Sequence, residues 1–126
     1  MKKVPPAFSL FIVVMLFSFK TFDHSLVGHW ISNDGAPGAK ILVDFNSDGT
    51  FKVSVDGQTE NEGNYKLYND TFYMYDNNCG IQTAGKYKVN FYTEDSVSFE
   101  LIQDSCADRI QEVNGGTITR LREGQP

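Results

Sequence analysis

From residue 40 onward the chain alternates apolar and polar side chains with a period of two, in short runs broken by turn residues. KILVDF at 40–45 and TFKVSVD at 50–56 flank Asn46-Ser47-Asp48-Gly49. GNYKLY at 63–68 and TFYMY at 71–75 flank Asn69-Asp70, which is too short for anything but a tight hairpin. KYKVNFY at 86–92 and SVSFELI at 96–102 flank Thr93-Glu94-Asp95. A first strand is expected over 26–31 and a last one, TITRL at 117–121, is entered through Gly115-Gly116. Runs of this period, rich in β-branched and aromatic residues, predict strands. The single stretch suited to a helical turn is DSCADRIQEV at 104–113, which Asp104 or Ser105 can cap.

Hairpin-sized connections leave no room for crossover helices, so neighbouring strands should run antiparallel. Eight short strands with one wet face are best stabilised by closure, which removes both exposed edges. The expected fold is therefore an all-β, eight-stranded, antiparallel up-and-down barrel with one short helical turn before the last strand. A helix packed on an open sheet is the main competitor, followed by a small sandwich. The inner face should carry Ile41, Val43, Phe45, Phe51, Val53, Val55, Tyr65, Leu67, Phe72, Met74, Tyr87, Val89, Phe91, Val97, Phe99 and Leu101. Lys52, Lys66, Lys86, Lys88, Asn90 and Glu100 fall on the outer face.

DFNSDGTF at 44–51 begins like a calcium loop, with Asp44, Asn46 and Asp48 alternating before Gly49. Such a loop needs a bidentate Glu at its twelfth position and helices on either side. Val55 stands at that position and the flanks read as strands, so the stretch is expected to be a hairpin turn.

Ahead of the body, Lys2 and Lys3 precede the apolar run AFSLFIVVMLFSF at 7–19. A basic flank before a run shorter than the roughly 20 residues of a membrane span reads as an export signal, leaving 21–126 as one domain. An uncleaved anchor is the alternative, and secretion or a periplasmic location is the expectation. Without Lys2, Lys3 and Lys20, 8 basic side chains face 16 acidic ones. That charge argues against nucleic-acid partners and electrostatic membrane binding, and after cleavage no stable membrane insertion is expected. An oxidising destination permits Cys79 and Cys106 to pair, with two free thiols as the alternative.

Gly28-His29-Trp30 resembles the G-x-W that opens the first strand of lipocalins and related calycins. In that family an arginine from the last strand packs over the tryptophan, a role that Arg120 in GTITR matches, with Arg122 as fallback. The chain also resembles small secreted bacterial lipocalin-like proteins in its GNYKL and GKYKV strands. Its Asp104-Ser105-Cys106-Ala107-Asp108-Arg109 element is a further likeness. The resemblance spans about residues 26–122 and implies a barrel closed at one end by Gly28, Trp30 and Arg120. It further implies a small apolar ligand, or in a few relatives an enzyme or inhibitor. The long helix and the T-D-Y-x-x-Y segment of larger lipocalins are absent, so no particular ligand is carried over.

A heavily aromatic interior predicts a packed bottom with a shallow, mostly apolar pocket near one mouth. Tyr65, Tyr87, Phe72, Met74, Phe91 and Phe99 are the candidate ligand contacts, with the two tyrosines as hydrogen-bonding anchors. Tyr68, Tyr73 and Tyr75 project outward and could form a patch for a protein partner or self-association. His24 should lie in a linker and His29 on a strand surface; neither starts a metal-ligand pattern. No nucleophile elbow, phosphate-cradling loop or C-x-x-C is present, so no catalytic residue, metal or cofactor is assigned. Three readings follow: a secreted binder of a small hydrophobic or amphipathic molecule, a filled interaction module, and a calycin-type isomerase or lyase.

Overall fold

A computed structural model describes residues 24–35 and 37–122, so the expected export signal lies outside the described residues. The strands are β1 (Gly28–Ser32), β2 (Ile41–Phe45), β3 (Thr50–Val55) and β4 (Gln58–Tyr68). They continue as β5 (Thr71–Asp76), β6 (Gly80–Thr93) and β7 (Ser96–Gln103), then helix α1 (Ala107–Val113) and β8 (Thr117–Arg120). Each strand pairs antiparallel with the next and β8 pairs with β1, closing the eight-stranded barrel. Among the described residues, no helix is long and apolar enough to cross a membrane.

Turn chemistry sets the register. Asn69 and Asp70 both adopt positive φ, 49° and 60°, as a two-residue hairpin loop demands. Asp56 and Gly57, at 51° and 87°, make the same turn between β3 and β4. The 46–49 stretch is a hairpin turn: Asp48 accepts hydrogen bonds from the Thr50 N–H at 2.9 Å and hydroxyl at 2.6 Å. Its carboxylate is turned onto its own loop rather than outward as a ligand.

Two strands begin earlier than their alternation suggests. β4 starts at Gln58 and β6 at Gly80, so Glu60 and Glu62 stand on a strand. The helix is capped by neither Asp104 nor Ser105. Cys106 occupies the N-cap without a side-chain bond, its sulfur being in the disulfide, and Asp104 accepts the Cys106 N–H at 2.9 Å.

One end of the barrel is plugged. Trp30 is fully buried and its indole N–H donates to the Leu26 carbonyl at 2.7 Å. Trp30 faces Arg120 in the β1–β8 ladder, and the guanidinium carbon lies 4.2 Å from the ring centroid. Arg120 also donates to the carbonyls of Val27 at 2.6 Å and Ser25 at 2.8 Å, and pairs with Asp95 at 3.2 Å. Gly28 is required here: a Cβ would stand 2.6 Å from an Arg120 nitrogen, and φ is +136°. His24 is not a loose linker residue. Its ring stacks on Phe91 at 4.6 Å and bonds Asp70 at 2.9 Å, strapping the entering chain across the end.

Beneath the plug, Phe45, Tyr65, Phe72 and Phe99 stack into a packed layer, with successive ring centroids 4.8 to 6.2 Å apart. Replacing Trp30 by Ala should lower the unfolding free energy in urea by about 3 to 5 kcal/mol, as removal of a large buried ring does. A loss below about 1 kcal/mol would show that the plug does not hold the barrel closed.

Candidate functional site at the open end of the barrel

The opposite end is open. A cavity of about 550 Å³ descends from the 33–40 loop, the start of β4 and α1 toward the ring layer. Its wall is apolar because alternate residues of each strand point inward. Ile41, Val43 and Phe45 come from β2, and Phe51, Val53 and Val55 from β3. Phe72 and Met74 of β5, Phe99 of β7 and Ile118 of β8 complete it. The rim is polar and includes Asp34, Glu60, Asn61 and Glu112, and no Lys, Arg or His lies among the described lining residues.

A buried ionic knot holds the rim in shape. Arg109 of α1 is fully buried and donates to both oxygens of Asp104, at 2.6 and 2.7 Å, and to the Thr83 carbonyl at 3.1 Å. Its third nitrogen stands 3.5 Å from Asp76. Tyr87 donates its hydroxyl to Asp104 at 2.5 Å. Asp76 receives the Cys79 N–H at 2.9 Å and the Asn61 amide N–H at 3.1 Å. The Cys79–Cys106 disulfide bridges the β5–β6 turn to the start of α1, with Cα atoms 6.0 Å apart. Gly85 makes room for the knot, since a Cβ there would come within 2.7 Å of the Arg109 Nε. This explains the glycine of GKYKV.

Burial by itself would raise the Asp104 carboxyl, but hydrogen bonds from Arg109, Tyr87 and the Cys106 N–H outweigh it and bring it down to about 2. Burial, then the bonded Asp104, pushes the Tyr87 phenol well up, so it stays a neutral donor. The hydrogen bond to Asp104 raises the Arg109 guanidinium, outweighing the burial that would lower it, so it stays charged.

Of the six residues expected to touch a ligand, Phe72, Met74 and Phe99 line the cavity. Tyr65, Tyr87 and Phe91 stand outside that lining. The Tyr65 hydroxyl donates to the Asn46 carbonyl at 2.8 Å toward the plugged end, the Tyr87 hydroxyl serves the knot, and Phe91 packs on His24. The polar side chains in the cavity lining include Asn61 and the rim carboxylates, and neither tyrosine is among them. Sequence reasoning missed these because QTENEG, at 58–63, lacks apolar alternation. Outside the barrel, Tyr68 faces Thr71, Tyr73 sits between Lys66 and Lys86, and Tyr75 faces Asn64. The three tyrosines are therefore interleaved with other side chains rather than paired across the hairpin.

No protein-family model matches the chain, and no curated protein sequence matches it. Among solved structures, the crystal structure of Treponema pallidum Tp0751 (Pallilysin) is similar at 16% sequence identity, covering 82% of this chain and 84% of that chain, with a TM-score of 0.49.

The knot makes an acid-stability prediction. A carboxyl held low in the folded chain stabilises it above the ordinary carboxylate range, and that contribution is lost as pH falls from about 4 through about 2. Asp104→Asn should cost about 3 to 5 kcal/mol at pH 7, because Arg109 is left buried and uncompensated. It should also flatten the decline in stability between pH 4 and 2. Urea unfolding across that range checks this; parallel profiles for the two proteins would remove Asp104 as the cause.

Proposed function

We propose that the protein is an exported, lipocalin-like binding protein that holds one small hydrophobic or amphipathic molecule in the open half of its barrel. The observation that carries this reading is the apolar cavity of about 550 Å³ above a plugged, aromatic floor. Small-molecule sites fall at roughly 300 to 1,000 Å³, mostly apolar with a few placed polar groups. Export is supported by the basic flank before the apolar run at 7–19 and by the disulfide, which favours an oxidising compartment.

The isomerase or lyase reading has less support. A catalytic pair needs perturbed groups facing a shared cavity. The strongly shifted Asp104 and Tyr87 are bonded to each other, and neither lines the cavity. The interaction-module reading draws on Tyr68, which is 70% exposed, as a contact for a partner or a second copy. Tyr73 and Tyr75 are half-buried among neighbours, which leaves little continuous apolar surface around it.

The test is titration with the neutral probe N-phenyl-1-naphthylamine, followed by its fluorescence. Saturable binding of one probe per chain is expected. Val53→Phe, which adds bulk to the cavity wall, should weaken it about tenfold or more, on the order of 1.4 kcal/mol. No saturable binding, or binding indifferent to Val53→Phe in a folded variant, would overturn the reading.

A further inference from the structure

The rim of the cavity has a chemical preference of its own. Asn61 is 8% exposed and lines the cavity, yet its carbonyl oxygen accepts no hydrogen bond from any described residue. A buried acceptor without a donor destabilises the fold, and such groups are few in folded proteins. Which amide atom is orphaned is not arbitrary. The Asn61 nitrogen donates to Asp76, and Asp76 is pinned by the Cys79 N–H and stands beside Arg109. Turning the amide over would set its oxygen against the Asp76 carboxylate. The knot therefore leaves an acceptor, and not a donor, without a partner on a residue of the cavity lining.

Three carboxylates line the same cavity. β4 pairs Val53 with Asn61 but Ser54 with Thr59, so one extra residue bulges from the strand. In a regular strand Glu60 and Asn61 would point to opposite faces, whereas both line the cavity, as a bulge permits. Glu112 comes from α1 and Asp34 from the β1–β2 loop, where Asp34 is held by the Thr117 N–H at 2.6 Å. Burial, followed by the neighbouring Asp76 and Asp108, pushes the Glu112 carboxyl up. Acids on a surface are ordinarily just solvated. Here three of them share the lining of one apolar cavity with a residue that carries a buried, unpartnered acceptor, and no basic side chain lies in the described lining.

Building on the binding function proposed above, we propose that the cavity selects a cationic amphiphile. Its apolar body lies against Val53, Phe72 and Met74, and its protonated amine donates to the Asn61 carbonyl oxygen among Glu60, Glu112 and Asp34. An anionic head such as a carboxylate or phosphate meets only acceptors and like charge there. A neutral hydroxyl satisfies Asn61 without gaining from the carboxylates.

Three ligands that share one ring system test this on the purified chain by calorimetric titration: 1-naphthylmethylamine, 1-naphthalenemethanol and 1-naphthoic acid. The amine should bind about tenfold or more tighter than the alcohol, with the acid weakest. The amine-to-alcohol ratio should shrink as salt screens the carboxylates. In the double variant Glu60→Gln, Glu112→Gln the amine should fall toward the alcohol while the alcohol is unchanged. Asn61→Leu should weaken both donors and spare naphthalene itself. Because the readout is a ratio within one protein, a variant that loses overall stability still reports. If none of the ligands binds, the binding function itself falls. If the acid or the alcohol binds as well as the amine, the cavity stands and the proposed charge preference is overturned.

Discussion

The barrel depends on the meeting of its first and last strands, where Trp30 and Arg120 stand opposite each other in the ladder. Two requirements are met at one place. The backbone pairing removes the sheet's two edges, and the guanidinium over the indole face seals the end with a cation–π contact. Arg120 suits this position better than lysine would, because its planar fork reaches the Val27 and Ser25 carbonyls and the Asp95 carboxylate while lying over the ring. With His24 strapped over Phe91, the segment before β1 becomes part of the plug.

The open end is held by different physics. A seven-residue helix is too short to be stable alone, so α1 depends on its attachments. Arg109 anchors it inward on Asp104, and the Cys79–Cys106 bond ties its start to the β5–β6 turn. Burying Arg109 carries a large desolvation cost that only a full set of partners offsets. Asp104 supplies two hydrogen bonds, Thr83 a third, and Asp76 a nearby counter-charge. The consequence reaches the cavity lining: by holding the Asn61 amide nitrogen, Asp76 determines which atom of that side chain is left without a partner.

The division between the ends accounts for a cavity in so aromatic an interior. Phe45, Tyr65, Phe72 and Phe99 gather in the plugged half, while the open half is walled on β2 and β3 by the shorter Val43, Val53 and Val55. Rigid rings and β-branched chains cannot close that space without leaving their preferred rotamers. The stability lost there comes with room for a ligand.

Much of this was legible along the chain. Period-two alternation from Phe45 to Phe99, hairpin turns such as Asn69-Asp70, and the flanking Trp30 and Arg120 identify the closed barrel, because strand periodicity and turn geometry are local properties. The helical turn before the last strand was legible in the same way. Local pattern did not reveal that Asn61 and Asp76 face inward, since inward polar residues look like a turn until their distant partner Arg109 is known. Nor did it show that the Tyr65 and Tyr87 hydroxyls are bonded at Asn46 and Asp104, partners 19 and 17 residues away. The sequence by itself determined the strands, their turns and the sealed end. Only the tertiary structure decided where the cavity lies and which polar atoms meet it, because hydrogen-bond satisfaction is settled between side chains that folding alone brings together.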